Sequence, residues 1–400
     1  MKLDIRNFRS IRDQSVELAP ITVVYGPNGS GKSSLLYSLL AMKDIVLNPN
    51  SSTDSFFDFG FVNLGSFEAL VHNHHPDKEI QFQIEAKAAV NNVKWSAQFS
   101  KQDGRFLLSM NAGKDAELLS FELPVSFPYR VDNNVQHKVN LTNQSVNVIW
   151  DGINAHLESV DTSVPNNQSA RDLATILNTP VEILRKTGAV PLQRGFSRDS
   201  YSVVPVSPSL INEDEMASLL VHDKYLEPRV SRYLERITGR ELRVRVRPGT
   251  SVFTLDVSER STGVGTEIVN DGFGVNQLAW FLARTLHSGT TWMCVEEPET
   301  HLHPSAIRKM AYALVDIVHE EGKRFLITTH SEALVLALLS EVTRERLKPE
   351  EVAFYLTHKE GRETHFERQE VNELGQVDGG LSSFMEGELE EIAAFFGREE

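Results

Sequence analysis

Four hundred residues are enough for two or three ordinary domains or for one P-loop sheet with insertions. A composition of 40% hydrophobic and 24% charged residues is that of a globular chain, neither disordered nor low in complexity. A net charge of −15 excludes a protein that coats nucleic acid through its overall field, so any such contact has to be local. No apolar run approaches the ~18 residues of a membrane span, and Met1-Lys2-Leu3-Asp4 opens no signal-peptide core, so a cytoplasmic chain with no membrane partner is expected. The single Cys294 sits in an apolar run and has no intrachain disulfide partner, in keeping with a reducing compartment.

Residues 2–7 and 14–18 alternate in polarity and predict a short antiparallel pair on either side of Asn7-Phe8-Arg9-Ser10. Ile21-Thr22-Val23-Val24-Tyr25 predicts a buried strand, and Gly26-Pro27-Asn28-Gly29-Ser30-Gly31-Lys32-Ser33 follows it directly. This is the pattern G-x-x-x-x-G-K-[ST], a P-loop: glycines let the backbone curl so that successive N–H groups point at phosphate oxygens. Lys32 is placed to reach the outer phosphates and Ser33 to ligate Mg2+. Leu35, Leu36, Leu39 and Leu40 line one face of a helix predicted from Ser33 to Met42, which sets the phosphates at a helix N-terminus.

Residues 47–78 read as loop or insertion. Within them His72, His74 and His75 admit a metal reading, but no second ligand cluster follows, and a loop ending at Pro76 accounts for them. Short alternating runs at 80–84, 93–99, 105–108, 135–141 and 146–150 predict antiparallel strands with one wet face. Residues 151–160, 168–186 and 211–238 read as helical, with a break at 187–195, and Leu242–Val246 with Val252–Val257 as a hairpin across Arg247-Pro248-Gly249-Thr250. Seven arginines, Arg229, Arg232, Arg236, Arg240, Arg243, Arg245 and Arg247, fall in a window whose only acids are Glu235 and Glu241. They read either as a local nucleic-acid face or as a solvated helix followed by an edge strand.

The second half supplies partners for the P-loop. The apolar run Thr291–Val295 ends in Glu296 and Glu297, the geometry of a buried parallel strand that delivers carboxylates at its C-terminal end. Glu296 is the metal-side carboxylate, and Glu297 the base that orients and polarises the water attacking a γ-phosphate. Arg324–Thr329 repeats the device and ends in His330, which is placed to contact the γ-phosphate or that water. Asn270-Asp271-Gly272-Phe273-Gly274 opens a helix predicted over Val275–Leu286. It forms a second anion cradle, one that a single triphosphate on one subunit does not need.

In this order the motifs resemble the ABC-type ATPase heads of the SMC/RecF/OLD-like superfamily, in particular compact prokaryotic ATPases related to the OLD family. Gly26–Ser33 matches Walker A, Asn270–Gln277 the signature, Thr291–Glu297 Walker B, Pro298–Pro304 the D-loop region, His330 the switch histidine and Val371–Val377 the closing strand. The resemblance implies an α/β P-loop fold with two lobes, a mixed or parallel core sheet and an antiparallel β subdomain. It implies one ATPase domain over residues 1–400. Lobe I, roughly 1–155, carries Walker A; lobe II, roughly 156–400, carries a helical insertion at 205–240, the signature, Walker B and His330.

It also implies ATP and Mg2+, with Gly26, Pro27, Asn28, Gly29, Ser30, Gly31, Lys32, Ser33, Ser34, Arg9, Asn270, Asp271, Gly272 and Gly274 on the nucleotide. Ser33 and Glu296 would lie on the metal, and Glu297, His330 and Lys32 would act in catalysis. The expected function is an ATP-hydrolysing switch that dimerises or oligomerises on ATP, in DNA maintenance or anti-phage defence, beside a separately encoded nuclease or effector. A non-catalytic ATP-dependent scaffold and a transporter subunit are the alternatives. The sequence departs from the family pattern in having Glu296 for the Walker B aspartate and no Leu-Ser-Gly-Gly-Gln signature. Residues 331–400 are too short for a Toprim nuclease and lack its cluster of acids. Which of Asn270 and Asp271 replaces the signature serine stays open, as does the place of the Q-loop glutamine.

Overall fold

The computed structural model describes every residue except 113–115, 132, 142–143, 159–167, 208–211 and 378–400. Two compact units interleave in sequence. The first comprises Met1–Leu18, Ser33–Thr187 and Lys359–Phe366; the second comprises Ala19–Lys32, Gly188–His358 and the described chain from Glu367 onward. The expected break near residue 155 is therefore corrected. The strand Ile21–Tyr25 pairs with Arg324–Thr329 and Val352–Glu360, and this long-range pairing draws Walker A into the same unit as Walker B.

The first unit is built on an antiparallel sheet in the order Ile11–Glu17, Lys2–Phe8, Ile80–Ala88, Asn91–Phe99, Asp103–Ala112, Ala116–Ser126. Alternate residues of the third strand, Ile80, Phe82, Ile84, Ala86 and Ala88, are buried, as a two-residue period requires. Phe8, Phe57, Phe82 and Phe99 pack with ring centroids 5.1–6.5 Å apart. Residues 47–78, read as loop, thus supply core: Phe56, Phe57 and Phe67 are fully buried. The strand Ala116–Ser126 was not anticipated; Pro124 breaks its apparent run, but it lies at the sheet edge, where a missing N–H is tolerated.

A second sheet holds Ala155–Leu157, Gln144–Trp150 and Val135–Leu141. The helix expected over 151–160 is absent from its described part. Asp151 Oδ1 accepts the backbone N–H groups of Ile153 (2.9 Å) and Asn154 (2.6 Å), an Asx turn that hands the chain straight to a strand; residues 159–160 lie outside the described residues. Helices Gln168–Leu177 and Thr179–Arg185 follow. The P-loop helix runs Lys32–Leu47, five residues past Met42, because Ile45 and Val46 extend its buried face.

The second unit's sheet is centred on Trp292–Glu296, Arg324–Thr329, Ile21–Tyr25 and Val352–Glu360, in that order, and these pairs are parallel. Buried side chains of the helices Leu226–Thr238, Phe273–Leu286, Pro304–Glu321 and Glu332–Thr343 join those of the sheet in one core. The expected hairpin is present as Arg240–Val246 with Val252–Glu259, in a small sheet that adds Tyr201–Ser202 and Gly265–Glu267. Residues 371–377 do not form the expected strand. A single bridge joins Val371 to Val377, and Asn372 Oδ1 turns the chain between them by accepting from the N–H groups of Leu374 and Gln376. No helix of the described residues is long and apolar enough to cross a membrane.

Burial pushes the carboxyl of half-buried Asp44 up to about 7; Lys43 opposes the shift and Asp58 adds to it. A folded-state pKa above the unfolded value gives stability that is full at low pH and is lost as pH rises toward 7. Asp44→Asn should therefore raise Tm by roughly 2 °C at pH 8 and leave it unchanged near pH 4, measured by thermal unfolding at both; equal shifts at both would remove the assignment.

Candidate nucleotide site

The strand Ile21–Tyr25 is buried throughout and ends where Gly26 turns away at φ 141°. A Cβ there would lie 2.3 Å from the carbonyl oxygen of Thr357, so only glycine can make the turn. Pro27, Asn28 and Gly29 are exposed, whereas Ser30, Lys32 and Ser34 are buried and Gly31 and Ser33 intermediate. The backbone N–H of Ser30 donates to Pro27 O (3.3 Å), closing the loop on itself. Lys32 folds back over it and donates from Nζ to the carbonyl oxygens of Gly26 and Pro27, 2.9 Å each. The chain passes from the second unit to the first between Lys32 and Ser33.

The carboxylates arrive on the neighbouring strands of the same sheet. Glu296 closes the strand Trp292–Glu296, and Glu297 follows in the left-handed region at φ 40°, its N–H bonded to Thr328 O at 2.9 Å. His330 follows the strand Arg324–Thr329, with Nε2 3.5 Å from Glu297 Oε1. Glu299, assigned no role by the sequence, accepts at Oε1 from the Thr329 hydroxyl and from the His330 N–H, while its buried Oε2 has no hydrogen-bond partner.

Burial lowers the Lys32 ammonium to about 8, against the pull of Glu297 and Glu299. Burial and the neighbouring Lys32 charge lower His330, with Glu297 opposing, and burial raises Glu299. The second unit thus gathers Lys32, Glu297, Glu299 and His330 into one electrostatic cluster.

Arg194 was missed. Its Nη1 donates to Pro191 O and Glu296 O and its Nη2 to Glu297 O, all at 2.9 Å. Burial lowers its pKa to about 10 against the pull of Glu299, Glu297 and Glu296, which leaves it charged at neutral pH. The only signal in sequence was an arginine inside the break at 187–195, next to a proline and a glycine.

The signature region is built separately. Asn270 donates to Glu267 at 3.0 Å, and Asp271 lies 3.8 Å from Arg240. Gly272 precedes a helix that starts at Phe273, two residues earlier than expected. Gly274 packs against the D-loop segment, where a Cβ would meet His301 O at 2.7 Å. Asn276 binds the backbone of Phe196 from both sides, at 2.7 and 2.8 Å. In the first unit Arg9 adopts φ 53°, its N–H bonds Leu70 O (2.6 Å), and its guanidinium lies 5.5 Å from the centre of the Tyr37 ring.

Ser33 and Glu296 offer hard oxygen donors. Mg2+ takes one or two protein oxygens of this kind and completes its shell with water and phosphate. Among the described residues no group of three or more His, Cys, Asp and Glu is arranged to hold a metal ion. His72 is buried, with Nδ1 2.9 Å from Arg9 O. In the arginine-rich window six of seven side chains form ion pairs: Arg229 with Glu321, Arg232 with Glu320 and Glu321, Arg236 with Asp316, Arg240 with Glu259 and Asp271, Arg243 with Glu241 and Glu227, and Arg245 with Asp256. Several of these acids lie on other elements, so the basic run visible in the sequence is largely offset in the fold.

An AAA ATPase domain family matches residues 108–335, more than half of the chain, and an AAA domain family matches residues 2–150. The chain belongs to the AAA ATPase domain family. It is 20% identical over 340 residues to an OLD nuclease of Thermus scotoductus, covering 82% of this chain and 58% of that protein. It therefore spans little more than half the length of that curated relative. A crystal structure of an SMC head bound to the C-winged helix domain of ScpA aligns with a TM-score of 0.50 at 11% identity, covering 93% of this chain and 97% of that one. An SMC head with an extended coiled coil, bound to a ScpA domain derived from Pyrococcus furiosus, aligns with a TM-score of 0.46 at 11% identity over 98% of each chain. The fold is that of an ABC-type ATPase head of the SMC/RecF/OLD-like superfamily.

With Lys32 poised near pH 8, its charge is lost as pH rises further, and an anionic ligand loses its nearest cation. The ATP dissociation constant, read by fluorescence titration at fixed free Mg2+, should rise roughly tenfold between pH 7.5 and 9. Lys32→Ala should show no measurable binding at either pH; a flat wild-type curve would show that Lys32 does not serve ATP.

Proposed function

We propose that the chain binds and hydrolyses ATP as a switch between open and closed subunit pairs. The observation that carries the reading is the cluster of Lys32, Glu297, Glu299 and His330 at one edge of the second unit's sheet, beside a loop whose lysine is parked on its own carbonyls. Triphosphate entering the loop takes the place of those carbonyls as the acceptor for Lys32, and the loop N–H groups and Ser34 hold the remaining oxygens. In the second unit the Glu296 carboxylate would be a donor for Mg2+, which would screen the phosphate charge. Glu297 takes the proton of the attacking water. The water oxygen bonds to the γ-phosphorus, the bond from that phosphorus to the bridging oxygen breaks, and ADP leaves with its electron pair. His330 stabilises the transferring group by a hydrogen bond.

In this reading Asn270, Asp271, Gly272 and Gly274 close on the nucleotide of a second copy of the chain, so ATP joins two subunits or more and hydrolysis releases them. Asn270 and Asp271 are drawn toward Glu267 and Arg240, which is consistent with a cradle that serves another subunit's ligand. The likeness to an OLD nuclease supports a role in DNA maintenance or anti-phage defence, with a nuclease or other effector as partner. The alternative is a scaffold that binds ATP and keeps it.

Lys32→Ala should abolish measurable ATP binding. Glu297→Gln should bind ATP as well as the wild type, lose about 10²–10⁴-fold in kcat, and accumulate as an ATP-loaded oligomer on size exclusion. Hydrolysis at the wild-type rate in both variants would end the reading, and a wild type that binds ATP without releasing phosphate would leave the scaffold.

A further inference from the structure

Glu297 occupies an unfavourable backbone conformation and is held there from several directions. A side-chain-bearing residue at φ 40° is strained and persists only where its surroundings fix it. Its N–H is tied to Thr328 O at 2.9 Å. Its carbonyl oxygen accepts from the Thr300 N–H (3.2 Å), the Thr300 hydroxyl (2.9 Å) and Arg194 Nη2 (2.9 Å). The second nitrogen of the same guanidinium holds the carbonyl of Glu296 at 2.9 Å, so one planar group spans two successive peptides. The planar fork gives each carbonyl its own nitrogen, whereas a lysine at the same place would have to serve both from one.

Arg194 is itself anchored. Two residues on, Phe196 is bonded through its N–H and carbonyl to Asn276, and Arg194 Nη1 also holds Pro191 O, which closes the segment into a tight loop.

We propose that Arg194 is a positioning residue for ATP hydrolysis: it clamps the carbonyls of Glu296 and Glu297 and thereby aims the Glu297 carboxylate at the attacking water. The inference rests on Glu297 being the base, but it makes a separate claim about what holds that base. Loss of the guanidinium takes a donor from the carbonyls of Pro191, Glu296 and Glu297 and lets the Glu297 peptide relax toward ordinary φ, which swings its side chain. Misplacement of about 1 Å at a reacting group costs on the order of 10²-fold, whereas nucleotide binding, carried by other groups, is spared.

The test uses the full chain with Arg194→Ala, Arg194→Lys, Glu297→Gln and the double variant Arg194→Ala/Glu297→Gln. Arg194→Ala is expected to bind a fluorescent ATP analogue within about threefold of wild type and to lose roughly 10- to 100-fold in kcat, with Arg194→Lys in between. The amides of Glu297 and Thr300 should exchange with deuterium faster in nucleotide-free Arg194→Ala than in wild type. The double variant should be no slower than Glu297→Gln alone, because a residue acting through another adds nothing once that other is gone.

Wild-type kcat in Arg194→Ala or Arg194→Lys, a further multiplicative loss in the double variant, or unchanged exchange would overturn the clamp. Should Arg194→Ala fail to fold, Arg194→Lys decides by the same three readings, paired with Glu297→Gln. If Glu297→Gln hydrolyses normally, the assignment of the base fails instead, and the exchange comparison still decides whether Arg194 holds that backbone.

Discussion

The pairing of Tyr25 with Thr329 and of Thr328 with Glu296, across three parallel buried strands, fixes where the chemistry of this molecule sits. Parallel strands all finish at the same edge of their sheet, so the residues just past each strand are delivered to one place. Here those residues are Gly26 and its loop, Glu297, and His330, the loop lying more than 250 positions from the other two in the chain. No local feature could gather them; the register of the sheet does. The strands hold register because their side chains are almost wholly apolar and buried on both faces. A one-residue slip would move every one of those side chains to the opposite face.

Around that edge the chain concentrates charge where solvent is scarce. Lys32 and Arg194 stand opposite Glu296, Glu297 and Glu299, and burial pushes the ionisation of several of them away from ordinary values. Removing water strengthens attraction between opposite charges and penalises each charge left alone, so such a cluster holds only when its members are mutually engaged. Lys32 shows this in a small way: it rests on the carbonyls of its own loop, neutral acceptors that an incoming anion outcompetes.

Much of this was legible in sequence, unevenly. The strand and loop at 21–33, the strand ending in Glu296 and Glu297, and the strand before His330 stood out because buried parallel strands are written as unbroken apolar runs with their polar residue at the end. Arg194, Asn276 and Glu299 did not stand out. Each acts by hydrogen bonds to residues about 30 to 100 positions away, and no periodicity encodes such a bond. The arginines at 229–247 misled for the same reason in reverse, since several partner acids, such as Asp316, Glu320 and Glu321, lie outside the window that made the run look basic. Elements set by turn chemistry, at Asp151 and Asn372, were lost where an Asx or Asn side chain overrode an apparent helix or strand.

The interleaving of the two units also bears on how the molecule comes into being on the ribosome. Ile21–Tyr25 is made long before its partners on either side, Arg324–Thr329 and Val352–Glu360. The antiparallel sheet of the first unit draws on strands from the first third of the chain and can form early. The P-loop strand must wait, unpaired, through the synthesis of some three hundred residues, at the loop-closure cost that such distant contacts carry. The phosphate cradle thus takes its place only after both flanking strands have been made, long after the strand that leads into it.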